Sequence, residues 1–300
     1  MKHFLETNAI TRVELDALLD LAKKIEANPK DYAAKLAGKI VATLFFEPST
    51  RTRLSFESAA IKTGASVIST ENGNISSSNM KGETLEDTIK VIAGYADAVV
   101  MRHQSDDSAH VAASVSTVPI INAGSGSAHH PSQALLDVFT IKKHRGKIDG
   151  LKVAFIGDLF HGRTANSLIG FLSLYKDITV YCVNPPDFGF RQDVFDLMDK
   201  SNVKYKVVDN ITDIPSDCDV LYQTRVQRER IKGDMPITKF FINKQVMTHF
   251  GKNTIVLHPL PRVDEISVDF DDDARAIYFE QAHNGVPVRM AILLKYCGGL

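Results

Sequence analysis

The sequence predicts an α/β protein of two domains, each a mostly parallel sheet flanked by helices. Three observations carry that prediction. Short β-rich runs alternate with longer helical patterns along the whole chain, as in successive βαβ units. Three hundred residues exceed most single cores and suit two domains of roughly 150 residues each. A polar stretch with two glycines, residues 143–150 (KHRGKIDG), interrupts the alternation at mid-chain.

The elements follow in order. Residues 11–27 open with Thr11 and Glu14 at capping-box spacing and continue with helical periodicity. Residues 40–46 (IVATLFF) read as a buried strand, 53–62 as a helix, 66–69 as a short strand and 85–95 as a helix. Strands at 98–102 and 118–122 and a helix at 133–143 complete the first series. The second series begins at Leu151. It has strands at 153–157, 178–183, 204–208, 220–223 and 254–257, with helices at 164–174 and 194–200. A turn-rich segment, 281–287, then precedes an apolar run at 288–296. That run predicts a final helix able to cross back to the first domain. No repeat at solenoid spacing and no low-complexity tract is present.

Composition excludes several classes. Lys plus Arg is 35 and Asp plus Glu is 36, a net charge of −1. A general nucleic-acid binder carries a basic excess, so none is expected as a partner. Any anion site must be a local cluster of positive charge. No stretch approaches the about 20 apolar residues of a membrane span. Glu6, Glu14, Asp16 and Asp20 leave no apolar signal-peptide core near the N-terminus. Cys182, Cys218 and Cys297 are odd in number and far apart. They form neither a disulfide framework nor a zinc knuckle, so reduced thiols in a cytoplasmic chain are expected.

Ligands of open α/β sheets bind beyond the carboxyl ends of the strands. Here hydroxyls, imidazoles and guanidinium groups follow one strand after another. The segment 45–53 (FFEPSTRTR) is the strongest signal. A strand runs through a Pro-Ser-Thr turn into a helix, whose first N–H groups are unpaired and carry partial positive charge. Ser49, Thr50 and Thr52 add hydroxyls, and Arg51 adds a planar fork suited to phosphate. An ordinary Ser/Thr cap beside solvated arginines would use the same residue types.

The other strand-end motifs are individually weaker. Residues 157–164 (GDLFHGRT) nearly match a P-loop, but Arg163 stands where that motif needs Lys. The segment is either a tight turn with an exposed arginine or a carboxylate site built on Arg163. His129 and His130 lie at a strand-to-helix turn without a third metal ligand at fitting spacing. A neutral imidazole that polarises a carbonyl is the better use, and no metal is expected. Residues 76–84 form a polar loop ending at Lys81-Gly82, either a plain surface loop or one that delivers an ammonium to an anion. Residues 224–230 (TRVQRER) are a charge run placed after a strand. In 258–262 (HPLPR) two prolines rigidify a loop suited to presenting backbone carbonyls.

Taken together these residues resemble the carbamoyltransferase family. The match spans almost the whole chain: FFEPSTRTR, KGET at 81–84, VMRH at 100–103, HPSQ at 130–133, GDLFHGRT, TRVQRER and HPLPRVDE, in that order. The aspartate branch is indicated by TRVQ and HPLPR. The ornithine branch carries a Ser-Met-Gly loop and a His-Cys-Leu-Pro motif, and Pro259 stands where that Cys would be. The resemblance implies a carbamoyl phosphate domain at 1–130 with 287–300 and an aspartate domain at 131–286. It implies transfer of the carbamoyl group of carbamoyl phosphate to L-aspartate, without a cofactor. Ser49, Thr50, Arg51, Thr52 and Arg102 would hold the phosphate. Thr52, Arg102 and His130 would address the carbonyl oxygen, and Gln133 the carbamoyl amide. Arg163, Arg225, Gln227 and the Leu260 backbone would serve aspartate. Ser77 and Lys81 would come from a neighbouring subunit of a homotrimer, and the resemblance leaves room for a separate regulatory chain.

The chemistry suits these residue types. An amine attacks the carbamoyl carbon, phosphate leaves, and charge builds on the carbonyl oxygen and the phosphate. Fixed donors aimed at both lower the barrier. Two guanidinium forks match the two carboxylates of aspartate. Glu47, a lone carboxylate beside the phosphate loop, is expected to pair with Arg163 or Arg230 once both substrates bind.

Overall fold

The computed structural model describes residues 2–71, 82–225 and 237–299. The chain divides into two compact units, Met1–Leu136 with Asn284–Leu300, and Asp137–His283.

In the first unit α1 (Arg12–Ala27) starts at the capping box read from the sequence. The Thr11 hydroxyl accepts from the Glu14 N–H, and the Glu14 carboxylate accepts from the Thr11 N–H. There follow β1 (Ile40–Phe45), α2 (Thr50–Lys62), β2 (Ser66–Glu71), α3 (Leu85–Ile92), β3 (Ala98–His103), α4 (Ser108–Val115), β4 (Ile120–Ser125) and α5 (Pro131–Arg145). The sheet order is β2-β1-β3-β4, with every pairing parallel. Five of the six β1 residues and all six of β4 are buried. That double-sided burial explains why IVATLF is a continuous apolar run rather than an alternation.

The second unit holds β5 (Lys152–Ile156), α6 (Arg163–Leu172), β6 (Thr179–Val183), α7 (Gln192–Lys200), β7 (Lys204–Val207), β8 (Val220–Gln223) and β9 (Ile255–Leu257). Its order is β7-β6-β5-β8-β9, again all parallel. Its core includes Ala154, Ile156, Leu221, Val256, Phe270 and Tyr278. Strand β7 (KYKV) is exposed along its length, and its lysines suit an edge that must not pair with another chain.

The final helix differs from the sequence reading. The segment 281–287 is not a turn. Helix α8 runs unbroken over Tyr278–Cys297 with Pro287 inside it. An interior proline costs a helix about 3 kcal/mol in isolation, so packing must outweigh it. Gly285 shows how: a Cβ there would lie 2.1 Å from Arg289 Nη1. Arg289 is itself buried, with its guanidinium 5.1 Å from the Phe56 ring centre. The glycine that signals a turn in sequence instead makes room for a buried arginine.

Helix α8 passes from the second unit into the first between His283 and Asn284, and α5 passes from the first into the second between Leu136 and Asp137. Both crossings lie inside helices, a few residues from the expected 130/131 and 286/287. Gln133 therefore belongs to the first unit.

Candidate active site

Three neighbouring strand ends build one edge of the first unit. Phe45 pairs with Arg102 between β1 and β3, and His103 with Ser125 between β3 and β4. The segments that follow these strands are therefore consecutive along the sheet. After β1, Ser49 is the extended N-cap of α2 (φ −159°), and its side chain makes no capping hydrogen bond. The first N–H groups of α2 have no partner within the helix, so hydroxyls and N–H groups collect at one point. Thr52 is buried there, and Thr50 and Arg51 are exposed. Partial burial lowers the Arg51 pKa. Arg53 is committed elsewhere, to Glu71 at 2.9 Å and Ser69 at 3.4 Å.

After β3, Arg102 Nη2 donates to Glu47 Oε1 at 2.6 Å. This corrects the expected Glu47 partner: in this structure the carboxylate pairs within its own unit. Glu47 and Arg102 follow strands that lie side by side, so the pair forms without any ligand. His103 packs edge-on against Phe46 at 5.1 Å. Burial lowers its pKa, against the opposing pull of Glu47. After β4, the chain turns through Ser125, whose N–H donates to the His129 carbonyl at 2.9 Å. It then enters α5, where His130 and Gln133 are buried and the His130 carbonyl accepts from the Gln133 and Ala134 N–H groups. Ser132 Oγ stands 3.4 Å from His130 Nδ1. Thus Ser49, Thr50, Arg51, Thr52, Arg102, His130 and Gln133 all lie on segments at the carboxyl edge of this one sheet.

The second unit repeats the pattern around β5, β8 and β9, also neighbours. Gly157 ends β5 at φ +113°, and a Cβ there would lie 2.6 Å from the Thr224 carbonyl oxygen. The Thr224 hydroxyl donates to the Ile156 carbonyl at 3.0 Å, and the Asp158 N–H reaches the Arg225 carbonyl at 3.4 Å. These bonds tie the turn that leads to Arg163, the first residue of α6, to the turn that carries Arg225. Asp158 is buried and accepts from both the His161 N–H and the His161 ring. Neither Asp158 nor His161 was assigned a role from sequence, although both stand inside a motif singled out there. After β9, His258 to Arg262 forms the third turn. Leu260 adopts φ +56° and precedes a cis proline.

Ser77, Lys81, Gln227 and Arg230 lie outside the described residues. Among the described residues no group of three or more His, Cys, Asp or Glu could hold a metal ion, and no helix is long and apolar enough to cross a membrane. Cys182, Cys218 and Cys297 are free and buried, and burial pushes each thiol up to about 12.

Residues 2–143 match the model of the aspartate/ornithine carbamoyltransferase carbamoyl-P binding domain, and residues 149–296 match that of the Asp/Orn binding domain. The chain belongs to the aspartate/ornithine carbamoyltransferase family. It is 46% identical over 306 residues to the aspartate carbamoyltransferase catalytic subunit of Methanocaldococcus jannaschii, covering 98% of this chain and 97% of that one. The solved structure of an M. jannaschii catalytic subunit superposes with a TM-score of 0.91 at 46% identity, over 99% of this chain and 98% of the other. An aspartate transcarbamoylase from Trypanosoma cruzi, solved with carbamoyl aspartate and phosphate, gives a TM-score of 0.89 at 37% identity, over 97% and 94%. The two family domains fall on the two compact units, apart from the α5 overlap and the return of α8.

Proposed function

We propose that this carbamoyltransferase transfers the carbamoyl group of carbamoyl phosphate to the amine of L-aspartate, giving N-carbamoyl-L-aspartate and phosphate. The observation that carries the choice of acceptor is the stitched pair of turns after β5 and β8. Two guanidinium groups, Arg163 and Arg225, stand on adjacent strand ends tied by Thr224. Two forks suit a substrate with two carboxylates, and an ornithine side chain would need an acid instead. The printed ligands of the T. cruzi relative, carbamoyl aspartate and phosphate, are this reaction's products.

Ser49, Thr50, Arg51, Thr52 and Arg102 bind the phosphate in this reading. The aspartate amine, once deprotonated, attacks the carbamoyl carbon. Thr52, Arg102 and His130 stabilise the charge that grows on the carbonyl oxygen, and Gln133 holds the carbamoyl amide. Each well-aimed donor contributes about 3–4 kcal/mol to such a barrier. The leaving phosphate accepts the amine proton, so no protein nucleophile is required. Arg163, Arg225, Gln227 and the Leu260 backbone hold aspartate. The chain acts as a homotrimer, with Ser77 and Lys81 completing a neighbour's site. By resemblance the product enters pyrimidine synthesis.

A carbamoyl-aspartate colour assay on the purified chain tests the reading, run with carbamoyl phosphate and either aspartate or ornithine. Product with aspartate and none with ornithine is expected. Equal or faster turnover of ornithine would overturn the choice of acceptor.

A further inference from the structure

The turn after β9 is held by a side-chain pair that the reaction scheme does not use. His258 and Glu265 are each 1% exposed at the side chain and lie 2.8 Å apart, Nε2 to Oε1. The Leu260 N–H points at His258 Nδ1 at 2.7 Å. An N–H can only donate, so Nδ1 carries the lone pair and the ring proton sits on Nε2, facing the carboxylate. The other oxygen, Glu265 Oε2, accepts from the Val263 and Asp264 N–H groups at 3.2 Å each. The loop thus closes on itself through one imidazole and one carboxylate.

The pair is anchored from behind. The His258 N–H donates to Gln281 Oε1 at 2.8 Å. Gln281 Nε2 donates to Asp137 Oδ1 at 2.6 Å, and the Tyr222 hydroxyl donates to Asp137 Oδ2 at 2.8 Å. All of these groups are buried within the second unit. The product of this wiring is Leu260 at φ +56°, a conformation that a branched side chain avoids unless its surroundings impose it. Burial alone would push the Glu265 carboxyl up. The His258 bond and the two N–H groups outweigh it, and the net shift is down. The carboxylate is therefore ionised and able to fix the ring.

We propose that His258 and Glu265 are positioning residues: the carboxylate locks the Nε2–H tautomer of His258, and the lone pair so exposed holds the Leu260 N–H and sets the direction of the Leu260 carbonyl toward the substrate amine. The proposal rests on the function given above, in which the Leu260 backbone serves aspartate. It predicts that the loss of either group acts on the aspartate step and not on carbamoyl phosphate.

The test uses the full chain and two variants. Glu265→Gln puts an amide donor where the ring proton or the two loop N–H groups need an acceptor. It should lower kcat/KM for aspartate by about a hundredfold, the scale of a misplaced contact near reacting atoms. Carbamoyl phosphate affinity by calorimetry should stay within about twofold, because its residues stand on other segments. His258→Asn also loses the bond to Glu265, yet its amide oxygen can accept the N–H two residues on. It should retain about tenfold more activity than Glu265→Gln, whatever its melting temperature. Nitrogen NMR of the wild-type ring should show Nδ1 unprotonated, a readout that needs no variant to fold. Three results overturn the proposal: a protonated Nδ1, wild-type kinetics in Glu265→Gln, or equal losses in both variants that track their melting temperatures. A wild-type chain that makes no carbamoyl aspartate removes the functional reading, and this proposal with it.

Discussion

Arg102 is assigned to phosphate, yet its Nη2 is already bonded to Glu47 at 2.6 Å. The pair is only partly shielded, with Glu47 34% exposed at the side chain, so it contributes on the order of 1 kcal/mol or less. Its consequence is competitive: carbamoyl phosphate must displace a carboxylate to engage Arg102. Glu47→Gln should therefore tighten carbamoyl phosphate binding a few-fold in the absence of aspartate, about 1 kcal/mol at most. Calorimetry decides it, and weaker binding would show that Glu47 orients Arg102 rather than competing for it. The sequence reading marked Glu47 as a lone carboxylate in a cationic edge but chose distant partners, because pairing across β1 and β3 depends on register. The same limit hid the buried network. Gln281 and Asp137 are 144 positions apart, and no spacing rule joins them. By contrast the hydroxyl cluster at 49–52 was legible because strand, turn and helix are contiguous there.

At the scale of elements, the two strand-end turns of the second unit approach so closely that only glycine fits at Gly157. Its φ of +113° and the 2.6 Å approach to the Thr224 carbonyl oxygen act together. Gly157→Ala should lower the stability of the second unit by about 1–3 kcal/mol. It should also raise the aspartate concentration needed for half-saturation, since Arg163 and Arg225 would be pushed apart. Urea unfolding and aspartate titration would measure both, and a stable variant with unchanged aspartate dependence would mean the close approach has no bearing on substrate. Most strands were legible from their runs of Val, Ile and Phe, and α1 from its cap. Helix α4 was missed because SAHVAASV buries Ala109 and Ala112, residues too small to stand out as an apolar stripe. Helix α2 begins at Thr50, ahead of the expected residue 53, because Ser49 stays extended and lets the Ser-Thr-Arg-Thr segment start the helix. That shift places the hydroxyls on the helix N-terminus rather than before it.

At the scale of the whole molecule, the two sets of candidate residues divide cleanly by unit. The phosphate and carbonyl residues 49–52, 102, 130 and 133 belong to the first, and Arg163, Arg225 and Leu260 to the second. The alternation and the mid-chain polar stretch made two domains legible. The crossing points were not, because α5 and α8 continue through them without a break in helical pattern. Assembly is the level at which the proposed function is most exposed to test. In a cyclic trimer each subunit has one neighbour to serve and one that serves it. Lys81→Ala and His130→Ala should each be nearly inactive as pure trimers. With random equal mixing, a site is whole only where a Lys81→Ala subunit, with its intact His130, is served by a His130→Ala subunit. About a quarter of the sites should then recover. If Lys81 acted within its own chain, no mixed trimer would contain a whole site. The measurement is activity after the two variants are dissociated and reassembled together, compared with each reassembled alone. No gain, with hybrids verified by charge-tagged separation, would refute sharing and return Lys81 to its own subunit or to none.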